Sequence, residues 1–210
     1  GFNLFEKTVD KTNNTLIFRL NFAFKILKPL IKDKKVVELG CGSGFLAKKF
    51  IEPNSTIIDA GANYGQMSIL FSKIYSNCTV YAFEASDYIF NILLKNINAN
   101  LENIIGINCA LSNNNTEIYL AEPDLSKSGT YGALKIEIRN NSDDEKQKKT
   151  IFKKIDDFNY EKKISLMKID VQGWDLKVLE GSIQTIESNR MPIIFEYEDI
   201  FEREMNYSFS

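Results

Sequence analysis

Histidine is absent from all 210 residues. That removes the side chain that most often acts as a general base near neutral pH, the commonest nitrogen ligand of zinc, and every Ser-His or Cys-His nucleophile pair. Cysteine is scarce. Cys41, Cys78 and Cys109 are scattered and odd in number, which builds no disulfide framework and points to a reducing, cytoplasmic setting. Long apolar runs are missing too: Lys25, Lys28, Lys32 and Lys34 interrupt the Phe-rich N-terminal segment, so no membrane span is expected. No charged start, apolar middle and small-residue cleavage site marks a secretory signal. Neither sign of charge is in excess, with 26 Lys and Arg against 28 Asp and Glu for a net charge of -2. No global field therefore draws the chain to nucleic acid or to an anionic membrane.

What is present is an ordinary globular composition, 44% hydrophobic and 26% charged, in a chain long enough to bury one sizeable core. Residues 1–52 read as a lead-in, with helical spacing from Asn21 to Ile31 and a break at Pro29. Residues 53–210 read as the main domain, where strands and helices alternate. TIIDAG, CTVYAFE, NIIGINCALS, ISLMKID and MPIIFEYE are the predicted strands. NYGQMSILFSKIYSN, SDYIFNILLKNINAN (capped by Ser86 or Asp87) and WDLKVLEGSIQTIESNR are the predicted helices. The charged run Asp143–Lys149 reads as a solvated loop. Near-continuous apolar strands joined by single helices imply a mostly parallel, doubly wound α/β sheet of Rossmann-like type. Ligands of such sheets bind at the carboxyl ends of the strands.

Two Gly-rich turns compete for that position. Val36–Gly44 reads VVELGCGSG, and Ile57–Gly65 reads IIDAGANYG. Neither is a good phosphate cradle. A dinucleotide turn needs glycine where Asn63 stands, the third glycine of the first turn falls one residue early at Gly44, and no G-K-[ST] follows either. A cofactor with ribose and an amino acid tail, but no phosphate, fits better. It asks for an acid and a tight Gly turn under the tail, and a carboxylate at the next strand end for the ribose hydroxyls. S-adenosylmethionine (SAM) is such a ligand. In one register Asp59 and Gly61 meet the tail and Glu84 takes the ribose. In the other, Glu38 meets the tail and Asp59 takes the ribose. Spacing alone does not choose.

The run IIDAGANYG, VYAFEAS, INCALSN, IDDF, LMKIDVQGWDLKVLEG and PIIFEYE, in order over about Phe50 to Glu198, resembles the FkbM-type family of class I SAM-dependent methyltransferases. KIDVQGWDLKVLEG is its most specific part, and Ala85 stands where the family usually has proline. The resemblance implies an enzyme with a class I methyltransferase fold that uses SAM to O-methylate a sugar, glycan or related natural-product hydroxyl. It favours the second turn. Asp59, Gly61, Asn63 and Gly65 would then surround the methionine moiety, Glu84 would hold the ribose, and Asn108, Ala110 and Ser112 would border the adenine. Asp170 would face the acceptor. Too little chain follows MPIIFEYE for the C-terminal antiparallel strand pair of such sheets, so a sheet without that pair, or one edged by the N-terminal segment, is expected.

With no histidine, the candidate bases are Asp170, Asp175, Glu196, Glu198 and Lys168. Asp170 is the favoured base and Glu196 its partner, with no metal required. Gln172 and Trp174 are candidates for shaping the acceptor pocket, and the bland readings stand beside these: Asp59 or Asp170 as helix caps, Trp174 as core packing, Cys41 and Cys109 as small buried residues. Two other functions remain open from the residues alone, an inactive methyltransferase-like binding module and a nicotinamide oxidoreductase. The identity of the acceptor and the oligomeric state have no sequence signature.

Overall fold

A computed structural model describes residues 51–75, 77–98, 103–121 and 147–195. The first Gly-rich turn Val36–Gly44, the predicted helix from Asn21, and the candidates Glu196 and Glu198 lie outside the described residues.

The main sheet has five parallel strands in the order β3-β2-β1-β7-β8. They are β1 (Thr56–Ala60), β2 (Thr79–Glu84), β3 (Ile104–Asn108), β7 (Ile164–Ile169) and β8 (Ile193–Phe195). Every residue of β1 and β7 is buried, as expected of central strands covered on both faces. One face carries Ile57, Val80, Ala82 and Leu166, packed on Phe71, Leu93 and Ile97 from α1 (Gln66–Ile74) and α2 (Asp87–Asn98). The other carries Ile58, Ala60, Phe83, Met167 and Ile169, packed on Leu176, Leu179 and Ile186 from α3 (Asp175–Glu180) and α4 (Ile183–Asn189). Ile51 joins the first of these cores. The doubly wound expectation is met. Ser86 caps α2 as anticipated, its Oγ accepting the Ile89 N–H at 3.3 Å. Among the described residues no helix is long and apolar enough to cross a membrane.

Three details depart from the sequence reading. NIIGINCALS is not one strand. After β3 the chain breaks at Cys109 and enters a second sheet, in which β6 (Gln147–Lys153) lies between β4 (Ala110–Leu111) and β5 (Glu117–Ala121). The end of the charged run is therefore strand, with exposed Lys149 paired to Glu117 at 2.7 Å across it. Alternation explains why: Thr150 and Phe152 face inward while Lys149, Ile151 and Lys153 do not. The third departure is the break of WDLKVLEGSIQTIESNR into α3 and α4 at Gly181. A Cβ there would stand 2.1 Å from the Ser112 carbonyl oxygen, and the Gly181 carbonyl accepts the Asp156 N–H. Close backbone packing from β4 occupies the space a continuous helix would need.

Candidate active site

Chain order runs outward from β1 through β2 to β3, then restarts on the other side of β1 with β7 and β8. The reversal lies between β1 and β7, so the crevice of this sheet opens where Ala60 and Ile169 end. β1 pairs directly with β7, Asp59 opposite Lys168. The turn at the switch point is therefore the one that follows β1, IIDAG.

Polar residues line those strand ends on one face of the sheet. Alternation puts Asp59 on the side of Ile57, Lys168 and Asp170 on the side of Leu166, and Glu84 on the side of Ala82. All four thus lie toward α1 and α2. Asp59 is fully buried. Its Oδ2 accepts the Ser68 hydroxyl from α1 at 2.6 Å, and its Oδ1 lies 3.1 Å from the Lys168 ammonium. That second contact is ionic in its geometry, and Oδ1 has no directed hydrogen bond. Lys168 Nζ also lies 3.5 Å from Asp170 Oδ2 and donates to the Gly61 carbonyl at 3.3 Å. Burial pulls the Lys168 ammonium toward losing its proton, but Asp59 and Asp170 outweigh it and raise its pKa.

The loop after β1 turns sharply. Gly61 and Asn63 are left-handed, with φ of 75° and 50°. The Gly61 and Ala62 N–H groups both donate to the Phe83 carbonyl, which folds the loop over the end of β2. There Glu84 meets it. Glu84 Oε2 accepts the Asn63 N–H at 2.9 Å and Oε1 accepts the Ser86 N–H at 2.9 Å. Burial raises the Glu84 pKa, the N–H groups of Ser86, Asn63 and Ala85 oppose that rise, and Asp59 adds to it. Gly65 opens α1 with φ 86°, and a Cβ on it would come within 2.5 Å of Leu93 Cδ1. Its glycine is accounted for by backbone conformation and by packing under α2.

Asp170 is one-quarter exposed at its side chain. Its Oδ1 accepts from Gln172 Nε2 at 3.2 Å, and its N–H donates to the Ala60 carbonyl. The following turn is left-handed twice, at Gln172 and Gly173. Asp175 opens α3 beyond it, 5% exposed. Gly173 N–H donates to its Oδ2 at 3.2 Å while Oδ1 is unpartnered. Trp174 packs on Phe152, ring centres 4.8 Å apart, so it is core.

The predicted site residues therefore divide. Asp59, Gly61, Asn63, Glu84 and Asp170 come together. Asn108 adjoins them, its Nδ2 donating to the Glu84 carbonyl at 3.0 Å. Ala110 is buried with Ala85, Val171 and Trp174 at the same end of the sheet. Ser112 turns away, 1% exposed under Gly181. Lys168, one of several candidate bases by sequence, is here the buried partner of two carboxylates. Ser68 was not singled out, and only its place in the first turn of α1 signals it.

A five-stranded parallel sheet with helices on both faces and an acid-Gly turn at the switch point defines a Rossmann-like α/β domain. The methyltransferase FkbM domain model matches residues 59–209, and the chain belongs to that family. Among solved structures, methyltransferase FkbM from Methylobacillus flagellatus KT, a crystal structure at 2.20 Å, is similar in fold, with a TM-score of 0.50 at 15% identity. The similarity covers 86% of this chain and 49% of that one, so the chain spans about half the length of this relative. No curated protein matches the chain.

Proposed function

We propose that this domain is a SAM-dependent O-methyltransferase acting on a hydroxyl of a sugar, glycan or related natural product. The observation that carries the reading is the Glu84 carboxylate, half-buried at the strand end beside the switch point. Each of its oxygens already accepts one backbone N–H, which fixes its direction and leaves each oxygen a second lone pair. Two oriented acceptors side by side suit the vicinal hydroxyls of a ribose. The formal charge supports the same ligand, because Asp59 and Asp170 share the Lys168 ammonium and Glu84 lies near enough to Asp59 to feel its charge. An excess of carboxylate favours a cofactor that carries a sulfonium and an ammonium.

On this reading the loop of Gly61, Asn63 and Gly65 encloses the methionine end. Asp59, which has no exposed surface, acts from beneath by holding the loop rather than by touching the cofactor. Asn108 and Ala110 border the adenine, and Ser112 supports them from behind. When bound, SAM supplies an electrophilic methyl carbon. Asp170 accepts the hydrogen of the incoming hydroxyl and directs its lone pair, and such alignment accounts for much of the acceleration available to a displacement reaction. Glu196, outside the described residues, is retained as its partner.

Titration calorimetry with SAM tests this. Wild-type protein is expected to bind saturably, and Glu84→Ala to bind about 100-fold more weakly, the loss of two hydrogen bonds to a charged acceptor. A folded wild-type protein that gives no SAM heat, or a quenching titration with NADH that saturates instead, would sink the assignment.

A further inference from the structure

We propose that Lys168 is a positioning residue that couples the two loops of this site, one buried ammonium holding the cofactor-side loop and the acceptor-side turn in a fixed relation. Its three contacts lie on separate parts of the chain. Asp59 belongs to β1, the Gly61 carbonyl to the loop after β1, and Asp170 to the turn after β7, at 3.1, 3.3 and 3.5 Å from Nζ. The Lys168 side chain is 8% exposed and that of Asp59 0%, so solvent cannot take over either partnership. The strand register supplies the rest. Asp59 and Lys168 are direct partners across β1 and β7, so neither side chain needs to reach along the sheet. The backbone bond from Asp170 N–H to the Ala60 carbonyl ties the two strand ends, but it leaves the Asp170 side chain free to swing. Of the two groups among the described residues that hold that side chain, Gln172 is exposed in part and lies within the same turn. Lys168 alone of the two connects the turn to the opposite loop.

Without the ammonium, Asp59 and Asp170 would face one another with no cation between them, and the Gly61 carbonyl would lose its donor. Both loops would slacken together. A lysine that served only to neutralise Asp59 would loosen the first loop and leave the second alone. This difference separates coupling from plain structural support.

Amide exchange in the cofactor-free protein reads the coupling without calling on the proposed activity. In Lys168→Met, exchange at Ala62–Gly65 and at Val171–Gly173 is expected to accelerate together, by about tenfold or more, while β3 and α4 keep their wild-type rates. Lys168→Arg should return both segments to within about threefold of wild type. Asp170→Asn leaves the buried Asp59–Lys168 pair intact and serves where Lys168→Met folds poorly; it too should accelerate both segments. Acceleration confined to one segment in Lys168→Met or in Asp170→Asn overturns the proposal. A second arm rests on the function proposed above: SAM affinity of Lys168→Met should fall about tenfold, within the usual range of site-to-site coupling, with Lys168→Arg near wild type. SAM binding to Lys168→Met as tight as to wild type also overturns it. Absence of SAM binding to wild type would instead remove the functional reading, and the exchange result would still decide the coupling.

Discussion

Gly61→Ala is expected to destabilise the domain by about 4 kcal/mol or to prevent folding altogether. Two independent effects meet at this residue. Its φ of 75° is one that a residue with a Cβ adopts only under strain. The Cβ itself would sit 2.0 Å from the backbone oxygen of Asp170. A backbone carbonyl at the end of a central strand has no rotamer to escape into, so β1 and β7 would have to part. Gly106→Ala is the matched control. Its Cβ would meet side-chain ends of Leu94, Ile97 and Phe90 at 3.2 to 3.3 Å, 3.2 for the first and 3.3 for the others, and its backbone is ordinary strand. That change should stay within about 1 kcal/mol. Urea unfolding of both variants checks the comparison, and equal losses would show that the close approach at Gly61 is tolerated.

The same contact explains why the candidate site was only partly legible in the sequence. An acid before a Gly turn, after a buried apolar run, is a local pattern, and it located Asp59 and Gly61. Glu84 was legible for the same reason, as the polar end of an apolar strand. Which of the two Gly turns occupied the switch point was not local information. It depended on β1 pairing with β7, residues more than a hundred positions away. The family resemblance favoured the second turn, and the strand order puts that turn at the switch point. Lys168 shows the limit most clearly. By sequence it was one charged residue inside an apolar strand and a candidate base. Only the register that sets it opposite Asp59 makes it a buried counter-charge. Gly181 is similar: nothing in WDLKVLEGSIQTIESNR announces that the Ser112 carbonyl approaches from another sheet. Ser112 was a candidate by family pattern alone, and it is buried with its carbonyl against Gly181.

Helix termini illustrate how magnitudes choose between opposing effects. Asp175 stands in the first turn of α3, where the helix dipole favours an ionised carboxylate by about 0.3 to 1 kcal/mol. Its own N–H and those of Val171 and Gly173 also favour ionisation. Burial opposes them and wins, and the neighbouring Asp170 carboxylate adds to the effect. The N-terminal turn of a helix thus carries an acid that resists charging, two residues beyond the left-handed pair that bends the chain away from Asp170.

Asp175→Asn is accordingly expected to stabilise the protein at neutral pH and above, and to leave it unchanged only at about pH 4 and below. Burial first, and then Asp170, push the Asp175 carboxyl from its ordinary 3.8 to about 7. Between those values the folded chain holds a proton that the unfolded chain has released. Fewer protons on the unfolded state mean that stability falls as pH rises. The contribution is fully present below about pH 4, declines through the window, and is lost once pH passes about 7. At roughly 1.4 kcal/mol per pH unit, the total reaches about 4 kcal/mol. Asparagine copies the neutral acid: its oxygen can keep the Gly173 N–H, and its amide replaces the unpartnered Oδ1. Denaturant unfolding of both proteins at several pH values between 5 and 8 isolates Asp175 together with its coupling to Asp170, because titrations elsewhere cancel in the difference. The gap should open steadily toward pH 7 and then level off. Parallel stability curves across that range would mean that Asp175 ionises in the folded protein as readily as in the unfolded chain, and that burial at the start of α3 does not govern its charge.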